Sequence, residues 1–127
     1  MILGVGTDIV RIARIKRLLE KYPEFAKKVF TAGEIAYCGS RAHPEQSYAV
    51  RFAAKEALMK ALGTGWSGKV SWLDIEIVKE GEGRPEIAVH NAMTTILASL
   101  GADSVHVSLA HEKEYATAFV VLERQKA

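Results

Sequence analysis

The run from about Glu45 to Leu62 reads as one long helix, and its charges do not gather on a single polar face. A helix turns about 100° per residue, so Glu56 and Lys60 fall together, one turn apart. Arg51 and Lys55 fall together in a second sector, roughly 140° away by the same rotation. Phe52 and Met59 fill the gap on one side; Ala53, Ala54, Ala57 and Ala61 fill the other. A simple amphipathic surface helix collects its charges into one sector. Here at least one charged sector must point into a partly buried place. Exposed, the Glu56–Lys60 pair is an ordinary helix pair contributing about 0.2–0.5 kcal/mol. Desolvating both ions costs several kcal/mol each, so a buried Glu56 marks a site.

The helix ends in Gly63-Thr64-Gly65. Phosphate loops place their glycines before a helix, at its positive end. Here the glycines follow the helix, where the dipole repels anions. The motif therefore reads first as a left-handed helix stop. A phosphate bound there needs Lys60, Arg51 or a metal.

The other elements fall around this helix. Ile2 to Ile9 reads as a strand, with Leu3, Val5, Thr7 and Ile9 on one face and Gly4, Gly6 and Asp8 on the other. The glycines leave space beside Asp8, as an approaching metal or ligand requires. Asp8 equally suits a helix cap. Ile12 to about Lys21 predicts a helix with Ile12, Ile15, Leu18 and Leu19 inward. Arg11, Arg14, Arg17 and Lys21 line much of the rest, either a solvated face or a dock for an acidic protein. Pro23 suits the first turn of a short helix, and Thr31-Ala32-Gly33-Glu34 fits a capping box. Val70 to Val78 alternates as a strand with Leu73, Ile75 and Ile77 on one face. Gly81-Glu82-Gly83 turns it into Glu86 to Val89. His90 to Leu100 reads as a helix stopped by Gly101, and Val105–Leu109 and Tyr115–Glu123 as strands. His111, at the turn between them, is either simply exposed or serves a site, by hydrogen bonding to phosphate or by ordering Asp8. The order predicts an α+β fold: a largely antiparallel sheet packed with a long helix and shorter helices.

A chain of 127 residues suits a single domain, 1–127. A net charge of +2 is too small for wholesale nucleic-acid binding. The N-terminus lacks a signal peptide's basic region, and no apolar run reaches membrane-spanning length. With one cysteine, Cys38, no internal disulfide forms, and a cytoplasmic setting is expected.

Several segments together resemble the holo-acyl-carrier-protein synthases, the small phosphopantetheinyl transferases. They are Gly4-Val5-Gly6-Thr7-Asp8-Ile9-Val10, Arg14-Ile15, Phe30-Thr31-Ala32-Gly33-Glu34 and Arg51-Phe52-Ala53-Ala54-Lys55-Glu56-Ala57. Lys60-Ala61-Leu62-Gly63-Thr64-Gly65, Gly83-Arg84-Pro85 and Val107-Ser108-Leu109-Ala110-His111-Glu112 complete the set. They keep the family order over nearly the whole chain. Ala110 departs from the Ser or Thr usual there, removing one hydroxyl near the substrate phosphates.

The resemblance implies the phosphopantetheinyl-transferase-like fold and transfer of 4′-phosphopantetheine from coenzyme A to a serine of apo-acyl carrier protein. Adenosine 3′,5′-bisphosphate is released, and the product supports fatty acid biosynthesis. It implies Mg²⁺ held by Asp8 and Glu56, with Lys60 stabilising the leaving phosphate. It assigns Arg51, Lys60, Gly63, Thr64, Gly65, Arg84, Pro85 and His111 to coenzyme A, and Arg14, with Arg11, Arg17 and Lys21, to the acidic carrier. It also implies a homotrimer with sites between subunits. Two other readings compete with it. One is a non-catalytic module that docks an acidic carrier-type protein. The other is a nucleotide-pyrophosphate hydrolase, for which no water-activating base stands out.

Overall fold

The structure is a computed structural model describing residues 1–63, 70–79 and 82–126. Strand β1 (Ile2–Arg11) pairs antiparallel with β5 (Tyr115–Glu123), and β5 pairs antiparallel with β4 (Ser104–His111). Between β1 and β4 lie helices α1 (Ile12–Lys21), α2 (Phe25–Val29), α3 (Ala32–Gly39) and α4 (Pro44–Ala61). The hairpin β2 (Ile75–Val78) and β3 (Glu86–Val89) follows, then α5 (Ala92–Leu100). Gly81 of the turn expected between β2 and β3 lies outside the described residues. This is the α+β, antiparallel arrangement expected.

Helix α4 is the centre of the molecule. It packs across β1 and β5 on one side and meets α1, α3 and β2 on others. Ala49, Ala53, Ala54, Ala57 and Leu58 along it have no exposed surface. Pro44 sits in its first turn, where its missing N–H costs nothing. Gly63 ends it at φ +68, the left-handed stop the sequence predicts. Thr31 and Glu34 form the expected capping box at the start of α3.

The buried face of β1 is the one carrying Gly6 and Val10, because α4 lies on it, whereas Val5 and Ile9 are exposed. Two expectations are corrected. The strand predicted from Val70 begins only at Ile75. Ser71 and Asp74 form a capping box that winds Trp72–Asp74 into a 3₁₀ turn, which leaves Leu73 exposed. Helix α5 starts at Ala92 rather than His90, because Asn91 breaks the backbone at φ +51.

Candidate active site

Asp8 reaches its place through two glycines. A Cβ on Gly6 would lie 2.0 Å from the carbonyl oxygen of Ala57, and one on Gly4 2.1 Å from that of Ala61. Neither distance is physically possible, so β1 and α4 touch main chain to main chain. The space the glycines clear is therefore filled by the helix, not by a ligand. Their effect on the site is indirect: Asp8, two residues on, is carried up against the outer turns of α4.

There Lys60 Nζ donates to Asp8 Oδ1 at 2.9 Å. Lys60 does not close a helix pair with Glu56, as its spacing allowed; it crosses to the strand. That contact holds the ammonium pKa above its ordinary value. Glu56 is half-buried beside them. Burial, then the Asp8 carboxylate, push its pKa up, with Lys60 and Arg14 partly opposing. A half-buried carboxylate whose charge is disfavoured by burial and by a second carboxylate beside it is a ready seat for a cation. Among the described residues no third His, Cys, Asp or Glu joins them. A set of two carboxylates leaves the rest of a coordination shell to water and phosphate oxygens, which suits Mg²⁺.

Glu56, Met59, Lys60, Gly63 and Trp72 line a cleft of about 420 Å³. Trp72 stacks on Phe52 with ring centres 5.2 Å apart, giving the cleft a rigid apolar wall. Thr64 and Gly65 lie outside the described residues.

The remaining predicted coenzyme A residues sit elsewhere. Arg51, Pro85 and His111 line a second cavity of about 340 Å³, together with Tyr37, Arg41 and Lys79. Arg51 is only 3% exposed. Its Nη1 donates to the Ser47 carbonyl at 3.1 Å and its guanidinium lies 4.4 Å from the Tyr37 ring centre. Its Nε is buried and has no hydrogen-bond partner among the described residues. Such a donor beside two further cations suits an anion. Arg84 is exposed and does not line either cavity.

One chain thus brings Asp8, Glu56, Lys60 and Gly63 together, and Arg51, Pro85 and His111 together, in two separate places. Sequence reasoning missed Tyr37, Arg41, Lys79 and Trp72. The only signal for the first two was their position shortly before α4, which carries Arg51.

Arg14, Arg17 and Lys21 are exposed on α1. Arg11 is the last residue of β1 and stacks on Tyr115 at 5.3 Å. Arg14 lies close enough to Glu56 to affect its ionisation, so the basic face borders the carboxylate site.

Residues 4–120 match the 4′-phosphopantetheinyl transferase superfamily. A holo-[acyl-carrier-protein] synthase of Moorella thermoacetica is 46% identical over 121 residues, 95% of this chain and 94% of its own length. A solved holo-[acyl-carrier-protein] synthase from Neisseria meningitidis superposes with a TM-score of 0.87 at 40% identity, covering 97% of this chain and 99% of its own. The Bacillus anthracis enzyme, solved in complex with CoA (3′,5′-ADP), gives 0.80 at 36% identity over 98% and 99%. Fold and sequence agree over nearly the full length: this chain belongs to the holo-acyl-carrier-protein synthase family of the 4′-phosphopantetheinyl transferase superfamily.

Proposed function

We propose that this chain, acting as a single domain in the cytoplasm, transfers 4′-phosphopantetheine from coenzyme A to a serine of an apo-acyl carrier protein and so supports fatty acid biosynthesis. The observation that carries this reading is the meeting of Asp8, Glu56 and Lys60 at one end of the β1–α4 contact. The serine hydroxyl oxygen bonds to the β-phosphorus of coenzyme A, its proton passing to solvent. The bond from that phosphorus to the bridging oxygen breaks, and adenosine 3′,5′-bisphosphate leaves. Asp8 and Glu56 would hold Mg²⁺, which when bound supplies polarisation of the pyrophosphate and neutralises its charge.

Lys60 keeps its proton and faces the same place, so it can turn from Asp8 to the leaving phosphate. An exposed ion pair is inexpensive to exchange in this way. Arg51 and His111, with Arg41 and Lys79, would hold the nucleotide's other phosphate. Their distance from Asp8 within one chain fits a homotrimer in which neighbouring copies complete each site. The outer face of the sheet, where Val5, Ile9 and Phe119 lie exposed, supplies an apolar surface for that contact. The basic α1, beside Glu56, would receive the acidic carrier.

Intact-mass measurement tests the reaction: an apo-carrier should gain one phosphopantetheinyl group, in Mg²⁺ and not in EDTA. No gain across a broad panel of apo-carriers overturns the assignment and favours a docking module. Glu56→Gln should keep the fold and lower transfer about a thousandfold, the equivalent of several kcal/mol of lost stabilisation. A folded, active Glu56→Gln protein removes Glu56 from the metal site.

A further inference from the structure

Lys55 is the residue before Glu56, and it points the other way, into the interior with no exposed surface. Its ammonium has three protons and three acceptors. It donates to the Val29 carbonyl at 2.6 Å, to Glu34 Oε1 at 2.7 Å and to the Trp72 carbonyl at 3.1 Å. Glu34, itself only 1% exposed, is equally committed. Its Oε1 also accepts from the Thr31 N–H at 2.9 Å, and its Oε2 accepts from the Ile77 N–H at 2.9 Å. One ion pair therefore ties α4 to the end of α2, the start of α3, the 3₁₀ turn and β2.

We propose that Lys55 and Glu34 are a positioning pair that fixes the rotation of α4 and so aims Glu56 at Asp8. The inference rests on the metal and coenzyme A reading above. The glycine contact on the opposite side of α4 sets how closely the helix lies against β1. Packing of alanines against glycines constrains turning about the helix axis only weakly. Three directed hydrogen bonds from a single buried atom constrain it strongly, since each weakens steeply with angle. A buried pair is not needed for stability as such, because apolar replacements of similar volume are often neutral or better. What an apolar side chain cannot supply here is direction.

Groups that orient metal ligands from behind typically contribute about 10- to 100-fold to metal affinity. Calorimetric binding of coenzyme A, with Mg²⁺ and in EDTA, reads this out without turnover. Wild type should gain affinity from Mg²⁺, and Glu56→Gln should not. Lys55→Met, shown folded by circular dichroism, should lose about tenfold or more of the Mg²⁺-dependent gain while its binding in EDTA stays unchanged. In the Glu56→Gln background the same change should cost nothing further, because the two act through one ligand. A Lys55→Met protein that keeps the full gain, where Glu56→Gln has lost it, overturns the positioning role alone. A Glu56→Gln protein that keeps the gain overturns the metal reading beneath it. If Lys55→Met does not fold, Glu34→Gln takes its place with the same outcomes. Failure of both to fold overturns the proposal, since the pair then serves the fold and not the aim of Glu56.

Discussion

Helix α4 carries two lysine–carboxylate pairs five residues apart. Lys55 and Glu34 meet at 2.7 Å with no exposed side-chain surface. Lys60 and Asp8 meet at 2.9 Å, but the Lys60 side chain is 56% exposed and that of Asp8 11%. Similar bond lengths conceal opposite behaviour. The sealed pair spends every ammonium proton on protein acceptors, so nothing can replace a partner without leaving a buried charge. The open pair has water at hand and can exchange partners at small cost. One pair is suited to hold the framework still; the other is suited to let go of its partner when substrate arrives.

The contrast can be broken from either end. The largest effect should come from Lys55→Ala, which strands Glu34 in the interior. Denaturant unfolding should show a loss of about 3–5 kcal/mol. A loss below about 1 kcal/mol would place the pair in the same class as the exposed one. Next comes Lys60→Ala. Stability should change by no more than about 1 kcal/mol, while transfer falls about 10²- to 10³-fold as the leaving phosphate loses its cation. Equal losses of stability in the two lysine variants would erase the distinction.

The smallest effect concerns the outer edge of the sealed network. Burial alone would raise the Glu76 pKa. Hydrogen bonds from His90 and Thr31 and the charges of His90 and Lys55 outweigh it, and the value is lowered. A lowered carboxylate contributes stability that is present above the ordinary glutamate pKa and lost as pH falls through the folded value. Glu76→Gln should therefore flatten the acid limb of a stability–pH curve, by less than about 1 kcal/mol given partial solvent screening. An unchanged acid limb would show that Glu76 adds nothing to the network.

Much of this molecule could be read from its sequence. The α1 and β5 boundaries, the Thr31 capping box and the Gly63 stop rest on local rules, and they appear where those rules put them. The split charges of α4 correctly announced a buried charged sector. Which sector it was could not be read, because a helical wheel shows angles and not neighbours; Lys55 is sealed and Lys60 is open. The strand expected from Val70 failed for a local reason. Alternation at Leu73, Ile75 and Ile77 masked the Ser71–Asp74 capping box within it. Gly4 and Gly6 announced a close approach without naming the partner. In the sequence only the family resemblance links Asp8 to Glu56, since they lie 48 positions apart and no periodicity spans that interval. The cavity around Arg51 was legible only in part, because Tyr37, Arg41 and Lys79 reach it from separate parts of the chain.

The contact of Gly4 and Gly6 with the α4 backbone bears on the carboxylate site as well as on packing. Here the strand and helix that bear Asp8 and Glu56 are already in main-chain contact, and neither can move closer. The bite of a chelate formed by these two residues is thus bounded by the backbone. A single methyl group at position 6, remote from any ligand oxygen, would be enough to set it wrong.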